Sequence, residues 1–547
     1  MPRFNLVDER WIPCIPLDGS RQLYSLRETL RDAAALREIA DDSPLVTVSV
    51  TRLLLAILHR CFGPPSFEGW CDLWIKCAWS REALDAYLDR HAARFDLFDA
   101  ERPFYQVPRM DDVKEYHPIT RLQFERTSGN NPVLFDHSTN MNAPAVPPDI
   151  AARHLIAYHA FAVAGGVSQP FNLSDGLLTK GYTVLAIGEN LFETLCLNLL
   201  PLTLNMPIIG TRADCPTWEQ GEPETPEKEG NDPLGYTDYL TWQSRRIFLE
   251  PEGEPPMVRQ CQVQQNFKMR YDLATGNPLD PFKSYRKNKD GRFVVRHLQP
   301  DRGVWRDSDV LFQPHVAGSE YRPPLVFNHL ARVKAVAERI GARRIYRFDV
   351  YGNLLKRTKQ GGYIEPIIFW RQERLPLPLA YLEDDDLYAV LKRALQFAEN
   401  VGRTLQTAGR RFAELVYVPD AVYEAKKTDS RITGKKKDID NLLESLAFGQ
   451  RYWSSLEAPF AQFIVAQAGE RQPGDTGEVR PGDAYGAWGM TVERAARDDF
   501  DTITASLDSS ARVLRATVGA ERVFNWRLRK SKEEAGLIRE EVKTDEQ

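Results

Sequence analysis

Cysteine is scarce in this chain, with seven residues in 547 and therefore an odd number. The nearest pair, Cys71 and Cys77, has neither zinc nor redox spacing. This excludes a disulfide scaffold, and reduced, buried thiols are the expectation. Long apolar runs are few and interrupted. Residues 45–63 contain Arg52 and His59, and residues 191–209 contain Glu193, Pro201 and Pro207, so neither reads as a membrane span. Asp8 and Glu9 stand where a secretory leader needs an apolar stretch. These features point to a cytoplasmic protein with no membrane partner.

Catalytic spacings are missing too. There is no Gly-x-Ser-x-Gly elbow to present a nucleophile and no Walker A lysine loop. Gly482, Gly486 and Gly489 are mis-spaced for a dinucleotide and read as a break between helices. His154 and His159 are five residues apart, which spoils a shared helix face for a metal. Asp136-His137 are neighbours, and neighbours rarely orient each other for acid–base work. Asp384-Asp385-Asp386 is the densest carboxylate run; its residues point in different directions on a starting helix, where they favour the helix dipole. No metal and no cofactor is expected.

What the chain does have is segregated charge. Its net charge is −5, which argues against general DNA coating but leaves room for a local basic patch. Residues 261–300 hold eight basic and three acidic residues, a net +5. Residues 212–232 hold two basic and seven acidic, a net −5, with several Pro and Gly, and read as a surface linker. Residues 421–437 carry net +4 from six basic and two acidic residues. Two polar loops stand out. One, 127–148, contains Gly129, Asn130, Asn131, His137, Asn140 and Asn142. The other, 354–362, contains Lys356, Arg357, Lys359 and Gln360. Such loops carry function or are disordered, and their donors suit contact with nucleic acid without chemistry on it.

The length allows three or four domain-sized units, fewer if one is large. Periodicity predicts strands at residues 4–8 and 10–13, then helices over 44–61, 67–91, 148–164 and 190–200. The helix over 148–164 stops at Gly165-Gly166. Strand-like pieces dominate 236–363, with turns at 275–278, 289–291 and 351–353. From Leu387 to Leu415, nine apolar residues follow a strict 4,3 spacing, which marks the inner face of a long helix. Further helices are predicted over 439–466 and 492–518, with a shorter one in 520–542. The fold class is therefore α+β. A large mixed N-terminal domain with irregular sheets and long loops (1–380) precedes a C-terminal four-helix bundle (381–547).

Lys268 and Arg270 lie two apart on a predicted strand, hence on one face. From spacing alone Lys268 reads first as an exposed edge lysine that discourages aggregation, and entry into a narrow groove is the alternative. The Lys356–Gln360 run projects as a loop tip, and Lys426, Lys427, Arg431 and Lys435–Lys437 read as a solvated loop or as a contact to a displaced strand.

Five short motifs in order carry a resemblance. They are Asn5-Leu6 with Trp11-Ile12-Pro13; Pro103-Phe104-Tyr105-Gln106; Leu134-Phe135-Asp136-His137; Pro216-Thr217-Trp218-Glu219; and Tyr239 to Arg246. With the helical C-terminus, the chain resembles the large subunit of Cascade, the type I-E CRISPR interference complex. The resemblance implies a non-catalytic subunit near the 5′ handle of a crRNA-bearing complex, among the other Cascade subunits. Such a subunit recognises the protospacer-adjacent motif in double-stranded DNA, helps open the duplex and recruits a helicase–nuclease. It further implies three elements near the motif. Gly165-Gly166 matches a glycine loop, Lys268 a hairpin lysine, and Gln360 a wedge, with Asn353 and Lys359 beside it. Residues 128–142, including Gly129, Asn130 and Asn131, correspond to a segment reaching the complex interior. Some relatives carry a cysteine cluster; here only Cys261 lies nearby. Two other readings stay open: a metal-dependent nucleic-acid-processing enzyme using Asp384–Asp386, and a pure assembly scaffold.

Overall fold

The computed structural model describes residues 2–126, 143–164, 174–204, 213–221, 226–270, 280–313, 319–357, 364–421, 430–470 and 482–538. Contacts divide the chain into two units, Met1–Val304 with His315–Leu375 and Trp305–Pro314 with Pro376–Gln547. A division at 380/381 leaves no place for residues 305–314, which pack with the helices.

The first unit is built on the helix Pro44–Phe62. Leu, Val and Ile are spread over every side of it, and the helix is buried from Leu45 to His59, with only its ends reaching the surface. By length and composition it could cross a membrane, but its apolar window is 83% buried inside the fold. Arg52 on this helix is compensated by Asp280 at 3.0 Å. The described residues form four three-stranded sheets. The hairpin Arg245–Glu252 and Met257–Gln265 pairs antiparallel, with Ile247 opposite Val263 and Leu249 opposite Cys261. Ile247, Leu249 and Cys261 face the core.

Several predicted boundaries move. The first strand pair is Ile12–Pro16 with Gln22–Tyr24, not 4–8 with 10–13. Asn5 instead fastens residues 4–8 as a turn, its amide bonding Ala92 O and Val7 N. The 67–91 helix is two helices, Phe67–Ile75 and Arg81–His91, separated at Cys77 (φ 52°) and capped by Ser66 and Ser80. Asn190 caps Leu191–Asn198 through Glu193 N. Residues 351–353 do not turn but continue the strand Ile345–Arg357. Gly352 there lets the strand approach Tyr182 and Leu298, which a Cβ would meet at 3.1–3.3 Å.

In the second unit the 4,3 seam lies on the 33-residue helix Asp385–Tyr417, and its apolar residues are buried as expected. Gln450–Gly469, Asp483–Ala505 and Ala511–Glu534 complete four long helices. The predicted 439–466 helix breaks at Ala447 (φ 49°) and Gly449 (φ 93°). The predicted 492–518 helix ends at Ala505, and Ser510 caps the next one. Leu514 and Val518 therefore belong to the fourth helix and lie exposed there. Trp305 is buried among Trp453, Phe460 and Trp488.

Candidate nucleic-acid interface

The residues around Lys268 form an extended segment rather than a strand in a regular ladder, and 271–279 lie outside the described residues. Asn231 N donates to Lys268 O at 3.0 Å, and Arg270 N donates to Asn231 O at 2.8 Å. Met269 between them is buried, so Lys268 and Arg270 share the outward face, as their spacing predicts. Gly230 adopts φ +73°, a left-handed conformation, beneath the Lys268 carbonyl.

The oppositely charged segments meet here. Asp232 holds Arg270 in an exposed ion pair at 2.6 Å. Lys268 has no ion-pair partner among the described residues and is exposed. One cation is thus neutralised, and the next stands free on a backbone clamped on its inner side.

Beside this segment is a cavity of about 480 Å³. Phe104, Tyr105, Trp218, Glu219, Trp242 and Gln243 line it, so three of the five sequence motifs converge on one place. Asn231, Asn266 and Phe267 complete the side next to Lys268. The acidic segment is accordingly no simple surface linker. Its Trp218 is buried and stacks near Phe95 and Phe104. Glu219 is held below the usual carboxylate range; burial opposes this, and hydrogen bonds from Arg60 and Tyr87 overcome it. Burial pushes Asp238 up, opposed by the Leu234 N–H and the Gln220 amide. No spacing joins residue 104 to 218, 242 and 267. The only signal for the cavity is the aromatic and amide content of the motifs themselves.

The other candidates scatter. Asn353 is buried on its strand, and neither amide atom has a hydrogen-bond partner among the described residues. It is therefore not presented on a loop. Gly129, Asn130, Asn131, Gly165, Gly166, Lys359 and Gln360 lie outside the described residues, as do Asp136 and His137. In the 421–437 patch, residues 430–434 and 436–446 are helical and anchored by Ile432 and Ile439. Lys435, Lys436 and Lys437 are exposed, while Arg431 pairs with Asp420.

Asp384 caps the long helix by accepting from Leu387 N at 3.0 Å. His159 Nε2 meets Tyr105 O at 2.9 Å, and burial lowers this imidazole to about 4. Burial raises the Cys261 thiol to about 12. Among the described residues no His, Cys, Asp and Glu cluster could hold a metal ion.

The fold defines a class: an α+β unit with small open sheets, followed in the chain by a bundle of long helices. Residues 5–498 match the model of the CRISPR-associated protein Cse1 family. The chain is 29% identical over 555 residues to the CRISPR-associated protein CasA/Cse1 of Thermus thermophilus, covering 100% of this chain and 99% of that protein. The crystal structure of Thermus thermophilus CasA superimposes with a TM-score of 0.78 at 26% identity, over 96% of this chain and 100% of that one. A chain of a solved CRISPR RNA-guided surveillance complex shares the fold, with a TM-score of 0.71 at 22% identity over 96% of this chain and 100% of that one. This chain belongs to the CRISPR-associated Cse1 family, as the resemblance in its sequence implies.

Proposed function

We propose that this protein is the non-catalytic large subunit of a crRNA-guided type I-E CRISPR surveillance complex. In this reading it works in the cytoplasm beside the crRNA and the other Cascade subunits. It recognises the protospacer-adjacent motif in double-stranded DNA mainly from the minor groove, promotes duplex opening and recruits the helicase–nuclease. Family membership supports the assembly role, as does the shared fold with a chain of an RNA-guided surveillance complex.

The observation that carries the DNA-reading role is Lys268, an exposed cation with no ion-pair partner among the described residues, on a backbone held by Asn231. Its ammonium is donor-only, and the minor groove offers acceptors at A·T pairs, so one lysine tolerates several sequences. Specificity is then left chiefly to the guide. Gln360 is assigned the wedge role, with Lys359 next to it in sequence, while buried Asn353 is dropped from that role; unstacking one step costs a few kcal/mol and eases guide pairing. Gly165-Gly166 are assigned the glycine loop, and Gly129, Asn130 and Asn131 the interior-reaching segment.

The test is gel-shift titration of the assembled complex carrying Lys268→Ala or Gln360→Ala. Motif-bearing duplex should bind more weakly, and single-stranded target should be affected much less. Equal losses on both substrates would overturn the reading.

A further inference from the structure

We infer that the cavity beside Lys268 receives one unpaired nucleobase from an opened strand, an inference that rests on reading this chain as a DNA-contacting subunit. Its volume of about 480 Å³ falls within the usual small-molecule range of about 300–1,000 Å³ and accommodates a flat heterocycle. Trp242 and Phe267, both part-exposed, line it, and aromatic faces stack on any base.

The polar lining suits a base edge. The side chains of Asn231 and Gln243 have no hydrogen-bond partner among the described residues, and each amide offers two donors and an acceptor. Asn266 is oriented by donating to Gln243 O at 2.8 Å, and its own carbonyl oxygen has no partner among the described residues. The acids are already engaged: Asp232 by Arg270, Glu219 by Arg60 and Tyr87, Asp238 by Gln220 and the Leu234 N–H. Arg94, the lining arginine, donates through Nε to Trp218 O at 3.1 Å, while its buried Nη1 has no hydrogen-bond partner among the described residues. A small anion would need converging free cations on these walls. What the lining offers is a single part-buried guanidinium, Arg94, among stacking surface and neutral amides, with Lys268 one residue beyond Phe267 in reach of a phosphate. Together these match one nucleotide of a strand.

The test uses the assembled complex and a motif-bearing duplex with a short unpaired bubble beside the motif. Trp242→Leu should weaken binding of the bubbled substrate about ten-fold, the loss expected of one stacked base. Gln243→Ala should weaken it in the same direction; it removes no buried bulk and decides the matter alone if the tryptophan variant fails to assemble. A single abasic position should bring wild type and variant to equal affinity. An effect of the abasic position in a DNA strand identifies that strand as the source, and an effect only in the guide RNA overturns the assignment to an opened strand. If neither variant changes affinity, or if no abasic position erases the difference, the inference falls. Lys268→Ala, measured alongside on fully paired duplex, reports separately on the motif-reading role.

Discussion

Gly230 lies directly beneath the carbonyl of Lys268, so close that a Cβ at residue 230 would overlap that oxygen. The positive φ of Gly230 is also one that L side chains rarely adopt. Gly230→Ala is therefore expected to push the Lys268 segment off its clamp while the ammonium itself remains. Strain of this kind costs on the order of 1–3 kcal/mol. Binding of motif-bearing duplex by the assembled complex should fall as it does for Lys268→Ala. Wild-type affinity in a gel shift would show that the clamp does not position the lysine.

Three buried histidines give the stability a definite pH dependence. Burial lowers His59 and His329 to about 3 and His159 to about 4. Unfolded histidine titrates near about 6.5, so below that pH the unfolded chain takes up protons the folded chain refuses. Stability is thus full above about pH 6.5 and falls as pH drops toward these folded values. The slope approaches about 1.4 kcal/mol per pH unit for each histidine. Melting temperature should fall between about pH 7 and about pH 5. His329→Leu should make that fall shallower, since His329 contacts Phe67 and Trp70 and has no partner for either ring nitrogen among the described residues. An identical slope in wild type and variant would remove His329 from the account.

Arg52 and Asp280 form an ion pair that is almost entirely buried. Asp280 also accepts from the Tyr239 hydroxyl at 3.0 Å, and Arg52 lies over the Tyr239 ring. Arg52→Met leaves that buried carboxylate with Lys283 as the remaining cation acting on it, and breaking such a pair costs about 3–5 kcal/mol. Urea unfolding should register the loss. Arg52→Met with Asp280→Leu should recover part of it, and a double variant weaker than the single one would contradict this.

Asp384 accepts from Leu387 N at the start of the longest helix. Asp384→Ala should cost about 1 kcal/mol of stability, the usual penalty for a lost cap. It should leave DNA binding by the complex unchanged. Incubation with labelled DNA or RNA and Mg²⁺ or Mn²⁺ checks the competing enzymatic reading: cleavage by the wild type that Asp384→Ala abolishes would replace the proposed function.

Local patterns were legible in the sequence and long-range ones were not. The helix at Asp385–Tyr417 could be read because nine apolar residues repeat at a period its own backbone sets. The exposed face of Lys268 and Arg270 could be read from their two-residue spacing around Met269. Helix breaks were harder. Ala447 turns left-handed with no proline beside it, and the apolar period runs on through the Asp508–Ser510 turn. Tyr351-Gly352-Asn353 has turn composition, yet contact with Tyr182 keeps it extended. The cavity was invisible because four distant segments build it and no local rule joins them.

Trp305 packs among aromatic side chains from Gln450–Gly469 and Asp483–Ala505, although it precedes the first residue of the long helix by 80 positions. The helical unit therefore cannot be excised by a single cut. A fragment beginning near residue 376 would keep all four long helices but lose the indole that fills their aromatic core. It would leave Phe460 and Trp488 facing a void, and such a fragment is better expressed with residues 305–314 grafted back than shortened further.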